Sequence, residues 1–452
     1  DKTALYDEDN LFNSDKVNYY IYQSFLGNIE TPTDAVQDYV SLVDLVECID
    51  FQRVEFEKQI SLSTTRKVEI KTRWNVKKIG KICQTSSGGT PLSTVLKYYE
   101  NGNIPWINSG EVKQGIITQT ENFITQLGLE NSSAKLFPIN TVLVAMYGAT
   151  AGQVGILGIE ATTNQAVCGI LPNNEFIPKF LFFYLREQTD RLLDLRTGKA
   201  RLNLSQDVIK NFPIPLPPKE VQEQIIQEIE VLENREQELR DNIENYQNQM
   251  KVKVDEIYTS NSSRKPIGNL CLNVQYGISQ QMNTEDKGYK IFRMNEIIEG
   301  KMFDSGEMKY VDISPEEFDK FKLAPGDILF NRTNSIELVG KTGIFTLEGN
   351  YCFASYLVRL KIDTNQANPF FVNFIMNSNQ FQQVAKEQAT KSINQANINA
   401  TKLKSIEIPV PSLSIQNKIA TEIQNIEAEI YNLETELNII PEQKEAILQK
   451  YL

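Results

Sequence analysis

Most of the residues in this 452-residue chain that could do chemistry are ones that could read another molecule, because histidine is missing altogether. Its absence removes Ser-His and Cys-His nucleophiles, His-x-Glu deaminase sites and His-ligated metals from the chain. What remains is a set of small, amide and cationic side chains in turns, suited to phosphates and base edges. Ser87-Gly88-Gly89-Thr90 could bring free backbone N–H groups close to a phosphate, or it is an ordinary turn. Arg332, flanked by Asn331 and Asn334, could make paired hydrogen bonds to guanine or adenine edges, or lie in a polar turn. Lys199 and Arg201 form a short basic loop, and Lys391 and Gln395 fall in a similar stretch further on. Tyr147 and Tyr276 adjoin glycines and could pack on a sugar or an extruded base, or half-bury as packing residues. Arg293 and Lys341 complete the candidate contact residues.

Catalytic readings find less support. An adenine methyltransferase needs a glycine-rich AdoMet loop and an Asn-Pro-Pro-Tyr type motif. Asn368-Pro369-Phe370-Phe371 lacks the second proline and reads as a helix start. Glu69-Ile70-Lys71 with Asp50 could serve a metal-dependent nuclease, but this pattern arises by chance on any alternating charged strand. No catalytic residue, metal or cofactor is assigned to the chain.

The elements that must position these turns occur twice. Ile79-Gly80-Lys81-Ile82-Cys83 returns as Ile267-Gly268-Asn269-Leu270-Cys271, and Gly152-Gln153-Val154-Gly155-Ile156 as Gly340-Lys341-Thr342-Gly343-Ile344. Asn203-Leu204-Ser205 returns as Asn397-Ile398-Asn399, and Pro215-Leu216-Pro217 as Pro409-Val410-Pro411. Order is kept while the connecting loops diverge: Ala145-Met146-Tyr147-Gly148 faces Asn331-Arg332-Thr333-Asn334. In the first copy, short strands are expected at Val76 to Cys83, Ile104 to Ile107, Thr141 to Met146, Val154 to Leu157 and Ala166 to Leu171. Pro178 to Arg191 reads as a helix with proline in its first turn.

Each copy ends in a long helix. Ile225, Ile229, Leu232, Leu239 and Ile243 alternate in steps of three and four, with Glu236 in one slot. Ile419, Ile423, Ile426, Ile430 and Leu433 repeat the pattern near the chain end. These seams predict a pair of long helices, the first about 60 Å long at ~1.5 Å per residue.

The formal charge of −12 is concentrated in the leader and the helices, leaving the two bodies near neutral and a DNA-binding face permitted. Five cysteines (Cys48, Cys83, Cys168, Cys271, Cys352) form no Cys-x-x-Cys pair and suit a reducing cytosol. No apolar run approaches the ~18 residues of a membrane span, and a cytoplasmic location is expected.

In this order, the motifs make the sequence similar to the DNA-specificity (S) subunit of type I restriction-modification systems. The matching residues are Ser87-Gly88-Gly89-Thr90-Pro91, Ile104-Pro105-Trp106-Ile107, the turn at 152–156, and Pro213-Ile214-Pro215-Leu216-Pro217-Pro218 followed by Glu220 and Gln222. In the second copy they are Ile408-Pro409-Val410-Pro411 with Gln416, and in part Tyr276-Gly277-Ile278-Ser279. The resemblance implies a chain without chemistry of its own, in which each domain reads half of a bipartite duplex target. The helix seams would set the spacing and dock adenine methyltransferase subunits, which would bind AdoMet, with a restriction or translocase subunit as a further partner.

The expected fold is α+β: two repeated β-rich target-recognition domains joined by two long antiparallel coiled-coil helices. The expected divisions are an arm at 1–73, recognition domains at 74–217 and 264–411, and spacer helices at 218–263 and 412–452. Residues 1–35 are expected to be loop or a weakly ordered arm, about 34–60 helical, and Lys67 to Lys71 a strand. Leu45-Val46-Glu47-Cys48-Ile49-Asp50-Phe51, Val54-Glu55-Phe56 and Ile60 resemble the tail of methyltransferases in fused restriction-modification enzymes. With Asp1 in place of an initiator methionine, this is the pattern expected of the recognition part of a longer single-chain enzyme. The alternative from another class is a bivalent protein-binding scaffold.

Overall fold

The computed structural model describes residues 6–7, 10–36, 39–40, 70, 72–195, 203–392 and 395–452. The described residues have an α+β fold, and they fall into two compact units: 1–231 with 443–452, and 232–442. Each unit is built on an apolar β-sheet.

In the first unit the five-stranded sheet runs, in spatial order, Thr85–Ser87, Val167–Ile170, Val142–Ala145, Val154–Leu157 and Ile116–Ile117. The three inner strands are buried throughout, which explains why they read as unbroken apolar runs rather than alternating ones. In the second unit a six-stranded sheet repeats the order with Cys271–Tyr276, Leu357–Ile362, Ile328–Asn331, Thr342–Ile344 and Lys301–Met302, then adds Ile297–Ile298. The senses of pairing repeat as well. The first four strands are mutually antiparallel and the fifth joins in parallel, through Ile116 to Ile156 in one unit and Lys301 to Ile344 in the other.

The helix Pro178–Glu187 covers the first sheet, with Phe180 to Leu185 buried, and Pro369–Met376 does the same for the second. Both begin with proline, whose missing N–H costs nothing in a first turn. The first stops at Glu187, and a separate short helix, Thr189–Asp194, follows.

Two expectations about local structure need correction. The run Val76 to Cys83 is strand only over Val76–Lys78, then turns into a short helix, Ile79–Ile82. The Ile79 N–H donates to the Phe212 carbonyl at 3.0 Å, and a Cβ on Gly80 would lie 2.9 Å from Lys210 Cβ. This close packing swings Ile79 into the core. The second copy repeats it at Ile267, Gly268 and Lys404. Residues 1–35 contain a helix, Val17–Phe25. Its inward residues are Asn18, Tyr20 and Gln23, and Asn18 exchanges hydrogen bonds with the Asp7 backbone. A helix packed through polar groups carries no aliphatic period to reveal it. The expected helix at 34–60 and strand at Lys67 to Lys71 lie almost wholly outside the described residues.

The proline runs form strands: Pro213–Pro215 pairs with Val76–Lys78, and Glu407–Pro409 with Arg264–Pro266. Two-stranded ribbons tolerate proline because each strand has one edge that needs no donor. Directly after them come the helices Lys219–Thr259 (41 residues) and Leu413–Tyr451 (39 residues, continuing through Pro441). None of the helices among the described residues is long and apolar enough to cross a membrane.

Candidate nucleic-acid interface

The glycine turn is set by a chain crossing. A Cβ on Gly88 would lie 2.1 Å from Thr163 Oγ1 and 2.2 Å from its carbonyl oxygen, so no other residue fits. Here the Gly88 and Gly89 N–H groups donate to Val167 and Thr163 carbonyls at 3.2 and 2.8 Å. The second copy matches, with Gly277 and Ile278 donating to Leu357 and Phe353 at 3.3 and 2.8 Å. The expectation of free N–H groups for a phosphate is therefore corrected: these donors are already used, and both glycines are buried. Ser87 is half-buried in its strand, and exposed Thr90 bonds the Gln165 side chain.

The loops diverge at the end of the next strand. Gly152 N donates to Ala145 O and Gly340 N to Asn331 O, both at 2.8 Å. Leu204 N donates to Met146 O at 2.9 Å and Ile398 N to Arg332 O at 2.8 Å. One backbone frame thus carries Met146 in one unit and Arg332 in the other, followed by Tyr147 and Thr333. Met146 is buried, whereas Tyr147 is 42% exposed.

In the second unit this frame assembles several of the candidates. Arg332 Nε donates to the Ser355 carbonyl at 2.9 Å, and its guanidinium lies 4.9 Å from the centre of the Tyr276 ring. The Tyr276 hydroxyl accepts from the Ala400 N–H at 2.8 Å. Thr333–Asn334 continues into a three-stranded sheet with Gln395–Asn397 and Thr390–Ser392, which brings the Lys391 backbone opposite Ala396, next to Gln395. Lys341 is exposed, and its carbonyl accepts from the Asn331 N–H at 2.8 Å.

Other candidates are placed differently. Asn331 is fully buried, with Nδ2 3.5 Å from the Leu338 carbonyl and Oδ1 unpartnered, so it cannot reach a base edge. Asn334 is half-buried at the end of its strand, with its Oδ1 accepting from the Ser335 N–H at 2.8 Å and its Nδ2 donating to Met294 Sδ at 3.0 Å, so both ends of its amide are engaged. Arg293 is committed to an ion pair with buried Glu296, whose carboxylate also accepts the Arg293 N–H at 2.8 Å. Asn108 and Glu111 form the same cap in the first unit, so this position serves the scaffold. The Arg293-x-x-Glu296 and Asn108-x-x-Glu111 spacing was the sequence signal for it. Lys199 and Arg201 lie outside the described residues. Among the described residues, no group of three or more His, Cys, Asp or Glu could hold a metal.

The helix seams face inward. Ile225, Ile229, Leu239 and Ile423 are fully buried, and Leu232, Ile243, Ile419, Ile426, Ile430 and Leu433 are half-buried. Ile225 and Ile229 pack with Phe180, Leu181 and Leu448. For Ile225, Ile229, Leu239 and Ile423 the docking expectation is corrected, because these side chains are already covered within this chain, while the half-buried seam residues keep part of their surface. In the first unit, Lys450 pairs with Glu228 at 2.8 Å; this ammonium and the Tyr451 hydroxyl hold the Glu228 carboxyl below its usual range. In the second unit, Arg235 grips Glu436 with two bonds of 2.6 and 2.8 Å, and Lys253 pairs with Glu422. Within that unit the two helices therefore run antiparallel, since partners rise along one as they fall along the other.

A buried glutamine ties each helix to its body. Gln222 Oε1 accepts from the Ile177 N–H at 2.7 Å while its Nε2 donates to the Pro217 carbonyl at 2.9 Å. Gln416 repeats this with Asn368 N–H at 2.9 Å and the Pro411 carbonyl at 2.8 Å. Both side chains are fully buried.

The family described as "Type I restriction modification DNA specificity domain" matches residues 71–246 and again 246–442. The chain belongs to this family. The type I specificity family thus accounts for both copies of the repeat. A curated relative, the type I restriction enzyme MjaIX specificity subunit of Methanocaldococcus jannaschii, is 30% identical over 177 residues. That match covers 38% of this chain and 40% of the relative's length. Two solved structures share the fold. The S subunit of a type I restriction-modification system from M. genitalium covers 86% of this chain and 98% of its own, with TM-score 0.52 and 14% identity. A chain from the type I R-M system covers 85% and 99%, with TM-score 0.56 and 18% identity.

Proposed function

We infer that this chain is the sequence-reading component of a type I-like restriction-modification assembly. Each unit reads one half of a bipartite duplex target, and the long helices fix the separation between halves. The observation that carries this reading is the duplicated backbone frame whose loop side chains differ between copies, Met146 against Arg332 and Ser87 against Tyr276. A shared frame with unlike contacts is what reading two unlike half-sites requires.

Adenine methyltransferase subunits, carrying AdoMet, are the partners this reading implies, with cleavage or translocation on a further subunit and the whole in the cytoplasm. The outward helix faces support docking: Val231, Val252 and Tyr431 are 67%, 55% and 69% exposed. The arm at 1–73 is assigned to the methyltransferase side.

The test is to sequence methylated adenines in a host carrying the cognate methyltransferase, with and without this chain. A bipartite motif that depends on the chain supports the reading, and removing about one heptad from both helices shortens its spacer. Methylation that ignores the chain overturns the reading in favour of a protein scaffold.

A further inference from the structure

We propose that Arg332 reads one guanine in the half-site of the second unit and that Tyr276 is the positioning residue that aims it. The inference rests on the DNA-reading function proposed above. It concerns how an arginine is held. Of the other arginines of this unit, Arg235, Arg240, Arg293 and Arg359 face carboxylates, and Arg264 spends its Nη groups on the Tyr258 and Glu407 carbonyls. Arg332 has no carboxylate partner among the described residues.

Its guanidinium is nonetheless fixed on two sides. Nε is tied to the Ser355 carbonyl at 2.9 Å, and the guanidinium carbon lies over the Tyr276 ring, 4.9 Å from its centre. Tyr276 is itself anchored at both ends, by its strand pairing to Val358 and by its hydroxyl on the Ala400 N–H. The Nη1 and Nη2 edge has no hydrogen-bond partner among the described residues. A planar fork held in one orientation matches the in-plane O6 and N7 acceptors of guanine in the major groove. The same fork can grip a phosphate, and the two contacts are told apart by base preference against salt dependence.

The first unit cannot make this contact from the same frame. Met146 holds the place of Arg332 and is buried, and Ser87 holds the place of Tyr276. The guanine therefore belongs to one half-site only.

The experiment uses the full chain with its methyltransferase, reading the methylated motif and binding to duplexes altered at single positions. Arg332→Ala should relax one guanine in one half-site, lowering the preference for it roughly ten- to a hundredfold, and leave the other half-site unchanged. Tyr276→Leu should relax the same position, whereas Tyr276→Phe, which keeps the ring, should retain the preference. A merely structural tyrosine would weaken methylation at all sites equally. An unchanged motif in Arg332→Ala and Tyr276→Leu overturns the proposal. So does uniform weakening with a shallower salt dependence, the mark of a phosphate contact. If Arg332→Ala does not assemble, Tyr276→Leu, which retains the arginine, decides by the same criteria. Absence of any chain-dependent motif in the unmodified protein would instead overturn the function proposed above.

Discussion

Replacing Gln222 by leucine tests the glutamine tie at nearly constant volume, so lost hydrogen bonds rather than a cavity set the effect. The variant leaves two buried backbone groups without partners, the Ile177 N–H and the Pro217 carbonyl, now bonded at 2.7 and 2.9 Å. Each stranded group costs about 1–3 kcal/mol, partly offset by burying an apolar side chain in place of an amide, so a loss of about 2–4 kcal/mol is expected. Trp74 and Trp106 are the chain's only tryptophans and both lie in the first unit, so their fluorescence follows unfolding where the change is made. Urea titration should show the tryptophan transition at a lower midpoint with an unchanged slope. Gln222→Glu is the control: its protonated carboxyl can both accept and donate, so its loss should shrink as the pH falls. A shift in the Gln222→Leu midpoint worth less than about 0.5 kcal/mol would refute the claim that the glutamine ties helix to body.

Gly88→Ala and Gly277→Ala place a Cβ 2.2 and 2.3 Å from backbone carbonyl oxygens across the crossing, so each should destabilise its unit by about 3 kcal/mol or more, read by tryptophan fluorescence for the first and by far-ultraviolet circular dichroism for the second. Glu427 is held by Lys301 at 3.1 Å, but burial dominates and raises its carboxyl above the usual range. A raised carboxyl favours folding below its unfolded value, and that contribution is lost as pH rises through the folded one. Glu427→Gln should therefore gain stability relative to the unmodified chain between acid and neutral pH, as read by melting temperature; a constant difference would contradict this. Cys83, Cys168, Cys271 and Cys352 are free thiols that burial pushes up to about 12, so iodoacetamide at pH 8 should leave them unmodified in the folded chain and label them in urea.

The duplication was legible because its signals are forced by backbone geometry. Gly88 stands where a Cβ would collide with a crossing strand, Gly80 where it would meet Lys210, and both recur as Gly277 and Gly268. The seam of the long helices was equally plain, since Ile225, Ile229 and Leu239 must be buried at helical spacing. The site was less legible, for reasons of register. Tyr276 and Arg332 are far apart in sequence and meet only because their strands flank Leu357–Ile362. Asn331, one residue before Arg332, takes the opposite face of its strand and is buried, and no local pattern distinguished the two. Arg293, expected as a DNA contact, is instead held by buried Glu296 three residues on.

The glutamine tie has a consequence for inheritance. Gln222 and Gln416 hydrogen-bond only to main-chain atoms of the residues they hold: an N–H at Ile177 or Asn368 and carbonyls at Pro217 or at Pro411 and Gln366. The glycine crossings likewise ask only for carbonyls at fixed places. Such joints do not inspect the side chains of the segment they hold. A body could accumulate new loops, or be exchanged as a cassette between the proline runs, provided it keeps the side chains that pack on the helices, as Phe180 and Leu181 do on Ile225 and Ile229. Novelty in what is read would then arise by recombination at the joints as readily as by point mutation within them.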